Sequence, residues 1–305
     1  MKNLEEKNNQ KLPKWQYIVG IFGLLFFTSF ITTNSIIIKN QKNFAIEKPT
    51  EVYASLEDRV MPPSGVRIPI RWGDIGVQMI EAGVIDAESF ESIYAKRGLL
   101  DEDSKKLLYE KNNEDIVITR QNSGILLNLF WAFGLSNKNE VLETGPMVDK
   151  KYGGNPGNFA STAGWSLAVG NSMDHYSKHQ FVSLNSEQQK KVESVAKNIY
   201  RPCCGNSTYF PDCNHGMAMY GLLELLAYNN ISEEEMYEIS LAVNSYWFSD
   251  TYMTLASYFE QKGTAWKSID SRIVLGYDYS SANGYRRVLQ EIQPVESQGI
   301  DGCSV

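Results

Sequence analysis

From Trp15 to Ile38 the chain runs WQYIVGIFGLLFFTSFITTNSIII, 24 positions without a charge between Lys14 and Lys39. At about 1.5 Å of rise per residue such a stretch reaches about 36 Å as a helix, enough to cross a hydrocarbon layer of about 30 Å with some tilt. It predicts a single transmembrane helix. The apolar run is longer than that of a cleavable leader, and TSFITTNS offers no small-residue cleavage site, so the helix is expected to be retained as an anchor. Lys2, Lys7, Lys11 and Lys14 precede the span, while Lys39, Lys42 and Lys48 follow it closely. A short tail ahead of a large C-terminal part places residues 1–14 in the cytoplasm and the rest outside, at the cell membrane.

Past the span the pattern changes. Residues 39–65 are mixed polar, hold Pro49, Pro62 and Pro63, and keep no period, which reads as a tether. Residues 66–305 read as one helical extracytoplasmic domain. VRIPI at 66–70 and DIVIT at 115–119 alternate like short strands, the first limited to a sheet edge by Pro69. Between them Asp74, Asp86 and Asp101 each stand ahead of apolar positions three and four apart, the pattern of three capped helices. SGILLNLFWAF from Ser123 is apolar nearly all round and predicts a buried helix ending at Gly134. Residues 135–171 are glycine-rich and lack the spacing of a phosphate cradle, so they read as loop. Capping boxes at Ser186/Gln189 and Ser232/Glu235 open two further helices, Asp250 and Ser281 precede two more, and Pro294 ends the fold. The expected fold is mainly α: a single transmembrane helix, then a compact multi-helix globular domain with at most short strands.

Composition adds a boundary to the partners. The chain has 305 residues, 43% hydrophobic and 21% charged, enough to bury a substantial core. Residues 40–305 carry 24 basic and 34 acidic side chains, a net charge of −10. Such a surface repels phosphate backbones, which argues against nucleic acid as a partner and does not disfavour cations. The membrane, through residues 15–38, is the partner that the pattern does name.

The candidate chemistry is concentrated in RPCCGNSTYFPDCNHGMAM, residues 201–219, which holds three of the four cysteines and one of the three histidines. The following GMAMYGLLELLAY is almost uncharged and predicts a central core helix, whose N-terminus presents unpaired N–H groups and favours a thiolate just ahead of it. Cys213 and His215 stand there. They converge only if the helix starts after Cys213, with Asn214 or Asp212 as its cap. Met217 and Met219 read as core filler. His175 and His179, four apart in DHYSKH, share a face and one metal ion if the segment is helical, and lie about 13 Å apart if it is a strand.

Three readings fit these residues. In the first, His175, His179, Cys203, Cys204, Cys213 and His215 form a transition-metal site for zinc or copper, the ions that take mixed imidazole and thiolate donors. Six candidates exceed the four ligands of zinc, so some serve another role, including a redox pair of Cys203 and Cys204. In the second, two disulfides staple a metal-free helical scaffold. Adjacent Cys203 and Cys204 are held about 3.8 Å apart at Cα by a trans peptide, too close for a bridge, so one of them pairs with Cys213 and the other with Cys303. In the third, Cys213 is a nucleophile with His175, His179 or His215 as its base, oriented by Asp174, Asp212 or Asn214. The function expected from the first is transition-metal binding by a membrane-anchored extracytoplasmic domain; Asp174, Asp212 or Glu224 would serve as the general base if the site is catalytic.

Overall fold

The computed structural model describes residues 55–296 except Glu114. The predicted span at 15–38 and Cys303 lie outside the described residues. Among the described residues no helix is long and apolar enough to cross a membrane.

The described chain is a mainly helical, compact multi-helix domain. Its elements are α1 (Leu56–Val60), β1 (Val66–Ile68), α2 (Ile75–Glu81), α3 (Ala87–Lys96), α4 (Glu102–Tyr109), β2 (Ile116–Ile118), α5 (Ser123–Ser136), α6 (Glu140–Thr144), α7 (Ala160–Ala163), α8 (Ser186–Ala196), α9 (Asn214–Tyr228), α10 (Glu233–Trp247), α11 (Ser249–Gln261), α12 (Ser271–Leu275), α13 (Tyr277–Ser280) and α14 (Ala282–Val288). Helix α1 forms within the segment that reads as tether from sequence; Ser55 Oγ accepts from Asp58 N, and Val60 is buried. The two strands pair antiparallel, Val66 opposite Ile118 and Ile68 opposite Ile116.

Helices α5 and α9 form the center, as their all-round apolarity requires. Every residue of α5 except Gly124 is buried, and α9 is buried from His215 to Ala227. They make the most extensive helix pairing of the domain, and α7, α8 and α10 close around α9. The close approach depends on two facing glycines. A Cβ on Gly134 would stand 2.9 Å from the backbone nitrogen of Gly221, and one on Gly221 would stand 2.5 Å from the carbonyl oxygen of Phe130. The buried indoles then tie the surrounding segments to the core: Trp131 Nε1 donates to Ser161 O, Trp165 Nε1 to Val84 O and Trp247 Nε1 to Ser123 O. Each indole finds a carbonyl because a buried N–H without one is costly.

Local cap chemistry accounts for most helix starts. Asp86, Asp101, Ser232 and Ser281 accept from the first-turn amides of α3, α4, α10 and α14. Apart from α9, three starts differ from those expected from the sequence. Helix α8 is capped one residue earlier, by a box of Asn185 and Gln188. Asp74 precedes α2 without a side-chain cap bond. Helix α11 begins at Ser249, with Phe248 before it, because the chain turns directly out of α10 and leaves Asp250 inside the first turn. Helix α5 also runs past Gly134 to Ser136, since Gly134 serves the crossing with α9 and not a C-cap.

Candidate metal centre

The loop between α8 and α9 folds back on itself. Tyr200 and Ser207 form an isolated antiparallel bridge, Thr208 N donates to Ile199 O, and Tyr209 N donates to Ala196 O. This return brings Cys213 beside Cys203. The loop is fixed at both flanks, with Ala282 N donating to Cys204 O at the start of α14 and Ser161 N donating to Asp212 O.

Cys213 itself is the N-cap residue of α9, in extended backbone, where Asn214 or Asp212 was the expected cap. Its Sγ accepts from Gly216 N at 3.4 Å, so a sulfur takes the role that an oxygen usually plays at a helix start. Cys203 Sγ lies 3.5 Å from Cys213 Sγ, and the Sγ atoms of Cys203, Cys204 and Cys213 all lie within 4.8 Å of one another. The three are free thiols; no disulfide joins any of the described cysteines. Cys203 is exposed, whereas Cys204 and Cys213 are half-buried.

Behind the sulfurs is a buried cation that the sequence reading passed over. Arg201 is 1% exposed. Its Nε donates to Cys213 Sγ at 3.0 Å, Nη1 to Asn206 O at 3.0 Å, and Nη2 to Phe210 O at 3.0 Å and Asp212 Oδ1 at 2.6 Å. Asp212 Oδ2 accepts from Asn206 Nδ2 at 2.7 Å, so both carboxylate oxygens are engaged. A signal for Arg201 was present: it is the single lysine or arginine between Lys197 and Lys262. Gly216 is required here, since a Cβ would stand 2.5 Å from the Arg201 Cζ.

The electrostatics are uneven across the trio. The neighboring Cys203 and Cys204 thiols hold the Cys213 thiol well below its usual range against the opposing effect of burial, and Arg201 adds to the lowering. Cys203 is pushed up by its bonds to Cys204 and Cys213 and by burial. At Cys204 the nearby Cys203 acts downward, but the Cys213 sulfur and burial outweigh it, leaving that thiol raised. The Cys213 sulfur accepts from the Arg201 guanidinium and the Gly216 amide and faces the Cys203 sulfur, whereas the Cys204 thiol donates to Asn206 O at 3.9 Å. Burial opposes the charge of Arg201, yet the facing sulfurs more than compensate, so it stays protonated.

The histidines do not join this group. Among the described residues the cluster able to share one ion contains only Cys203, Cys204 and Cys213. His175 and His179 do meet each other, Nδ1 to Nε2 at 3.0 Å, with the rings stacked. The segment is not the helix that could have paired them: it leaves a short 3-10 turn at Ser172–Asp174, and Ser177 takes φ 48°. What carries it is the end of α5, whose carbonyls at Leu135 and Ser136 accept from the backbone amides of Ser177, Lys178 and His179. His175 Nε2 rests on Val169 O at 3.2 Å and His179 stacks on Phe181, so two ring contacts and one carbonyl take up the pair. Burial, His175 and Lys178 all lower the pKa of His179.

His215 takes a third position. Its Nδ1 lies 2.9 Å from Asn214 Oδ1, and its ring packs on Phe248 at 4.4 Å between centroids. Burial pushes it down to about 4, which leaves the imidazole neutral near pH 7. Met217 and Met219 are core residues, as expected. Glu224, fully buried, faces Asn137 and Asn139, whose amides donate to Oε1 at 3.2 and 2.6 Å, while Oε2 has no partner. A cavity of about 740 Å³ opens beside Asn139 and Gln189 on that side, lined by neither the thiols nor Arg201.

No protein-family model, curated protein or solved structure matches this chain, so the three thiols and the charge set against them carry the functional argument alone.

Proposed function

We propose that the domain binds a transition metal ion, zinc or copper, through Cys203, Cys204 and Cys213, outside the cytoplasm and at a membrane to which residues 15–38 anchor it. The observation that carries the reading is sulfur spacing. Thiolates coordinated at about 2.3 Å around one tetrahedral ion stand about 3.8 Å apart. The 3.5 Å between Cys203 and Cys213 and the 4.8 Å limit on the whole trio match that requirement without rebuilding the loop. Arg201 supports it by offsetting the negative charge that collects when the thiols lose their protons to the metal.

Elemental analysis of the full chain purified in mild detergent tests the reading. Near-stoichiometric zinc or copper, lost in Cys213→Ser, is the expected result, and four free thiols with no retained or added metal would overturn it. Recovery in the membrane fraction, with the C-terminal part cleaved by protease added outside, checks the anchor and its direction.

The 3.5 Å sulfur contact also favors a second reading, a reversible Cys203–Cys213 disulfide. A small disulfide oxidant would take the two electrons and two protons, becoming two thiols as the S–S bond forms. Loss of two titratable thiols, reversed by reductant, distinguishes it from metal binding.

A further inference from the structure

The donor set goes further than the choice between zinc and copper, and the argument rests on the metal reading above. All three atoms of the cluster are sulfur, the soft donor type that suits copper(I), zinc and iron–sulfur clusters. Zinc in a closed site takes four ligands, and iron–sulfur clusters are ordinarily held by four cysteines. Copper(I) is satisfied by three thiolates.

The described surroundings do not supply a fourth protein donor. Asp212, the carboxylate at the loop end, has Oδ1 on Arg201 and Oδ2 on Asn206. His215 turns its Nδ1 to Asn214 and its ring to Phe248, and it is outside the group. Arg201 lends its Nε to Cys213 and is locked by its other bonds to Asn206, Phe210 and Asp212. A copper(I) tris-thiolate is doubly negative. The guanidinium and the N–H of Gly216 at the helix start both lie against its most enclosed sulfur, where that charge needs offsetting. Cys203, by contrast, is exposed.

We infer that the ion is copper(I), held three-coordinate by the sulfurs of Cys203, Cys204 and Cys213, and that it enters and leaves on the Cys203 side by exchange with a soft ligand. Exchange keeps the electron count: at each step one copper–sulfur bond forms to an incoming thiolate as one protein bond breaks, Cys203 first and then Cys204 and Cys213, with no change in oxidation state.

The test uses the full chain in detergent, reduced and free of oxygen, given copper(I) as its acetonitrile complex, zinc chloride, or both in equal amounts. The variant Cys303→Ser is measured alongside, since a fourth sulfur from that position would convert the site to a zinc-type one. The expected result is a single equivalent of copper(I) per chain, three sulfur neighbors by X-ray absorption, no displacement by equal zinc, and the same in Cys303→Ser. Preference for zinc, four ligands, or loss of copper in Cys303→Ser overturns the three-coordinate copper(I) assignment and leaves the metal reading standing. Retention of neither metal by the wild-type chain overturns the metal reading itself.

Discussion

The Nε of Arg201 donates to the Sγ of Cys213 at 3.0 Å while its guanidinium lies over Gly216 in the first turn of α9. A cation, a sulfur and a helix start are thereby locked in one arrangement, and each of the three depends on the others. A methyl group on Gly216 would occupy the place of the Arg201 Cζ, 2.5 Å away. Gly216→Ala is expected to displace the guanidinium, destabilize the domain by about 1–3 kcal/mol as overpacking does, and slow alkylation of Cys213. Urea denaturation and iodoacetamide labeling followed by peptide mass analysis check both parts.

Removing the cation has a larger effect. Arg201→Met removes the guanidinium donor from Asp212 Oδ1 and from the carbonyls of Asn206 and Phe210 in a largely buried site. Breaking a buried ion pair from one side costs about 3–5 kcal/mol. The urea midpoint is expected to fall accordingly, and an unchanged midpoint would show that water replaces the guanidinium.

The lowered pKa of the Cys213 thiol is set chiefly by its neighboring thiols. In metal-free protein, Cys203→Ala deletes one donor to the sulfur, so the pH profile of Cys213 alkylation is expected to move to higher pH. A profile that stays in place would remove Cys203 from the lowering and leave it to Cys204 and Arg201.

Gly134 and Gly221 let α5 and α9 touch backbone to backbone. Gly221→Ala forces a Cβ against the carbonyl of Phe130, and the expected loss is about 1–3 kcal/mol by thermal or urea unfolding. Gly205→Ala, where a Cβ meets nothing within 4 Å, serves as the control.

Glu224 gives the domain a pH dependence of definite sign. Burial raises its pKa from 4.5 to about 8, against the lowering by Asn137 and Asn139. Below the lower value both folded and unfolded chains hold the proton. Between the two the unfolded chain releases it and the folded one keeps it, so stability falls as pH rises from 4.5 to about 8. Glu224→Gln is expected to remove that slope, on the order of a few kcal/mol across the window. Urea midpoints on either side of the window measure it; identical slopes in the two proteins would refute the assignment.

By itself the sequence determined what short-range chemistry controls. Asp86, Asp101, Ser232 and Ser281 cap helices because a cap reaches only two or three residues along the chain. The near-continuous apolarity of α5 and α9 placed them at the center, since no polar face remains to meet water. The tertiary structure alone decided which chemistry-bearing residues meet. The imidazoles of His175 and His179 follow the backbone that satisfies the end of α5, whereas the thiols follow a loop folded back between α8 and α9. Residues close in the chain and alike in ligand chemistry were thus sent to separate clusters. Arg201 was recruited to the sulfurs because Asn206, Phe210 and Asp212 converge on its guanidinium, a convergence built from loop path and packing that no local spacing encodes.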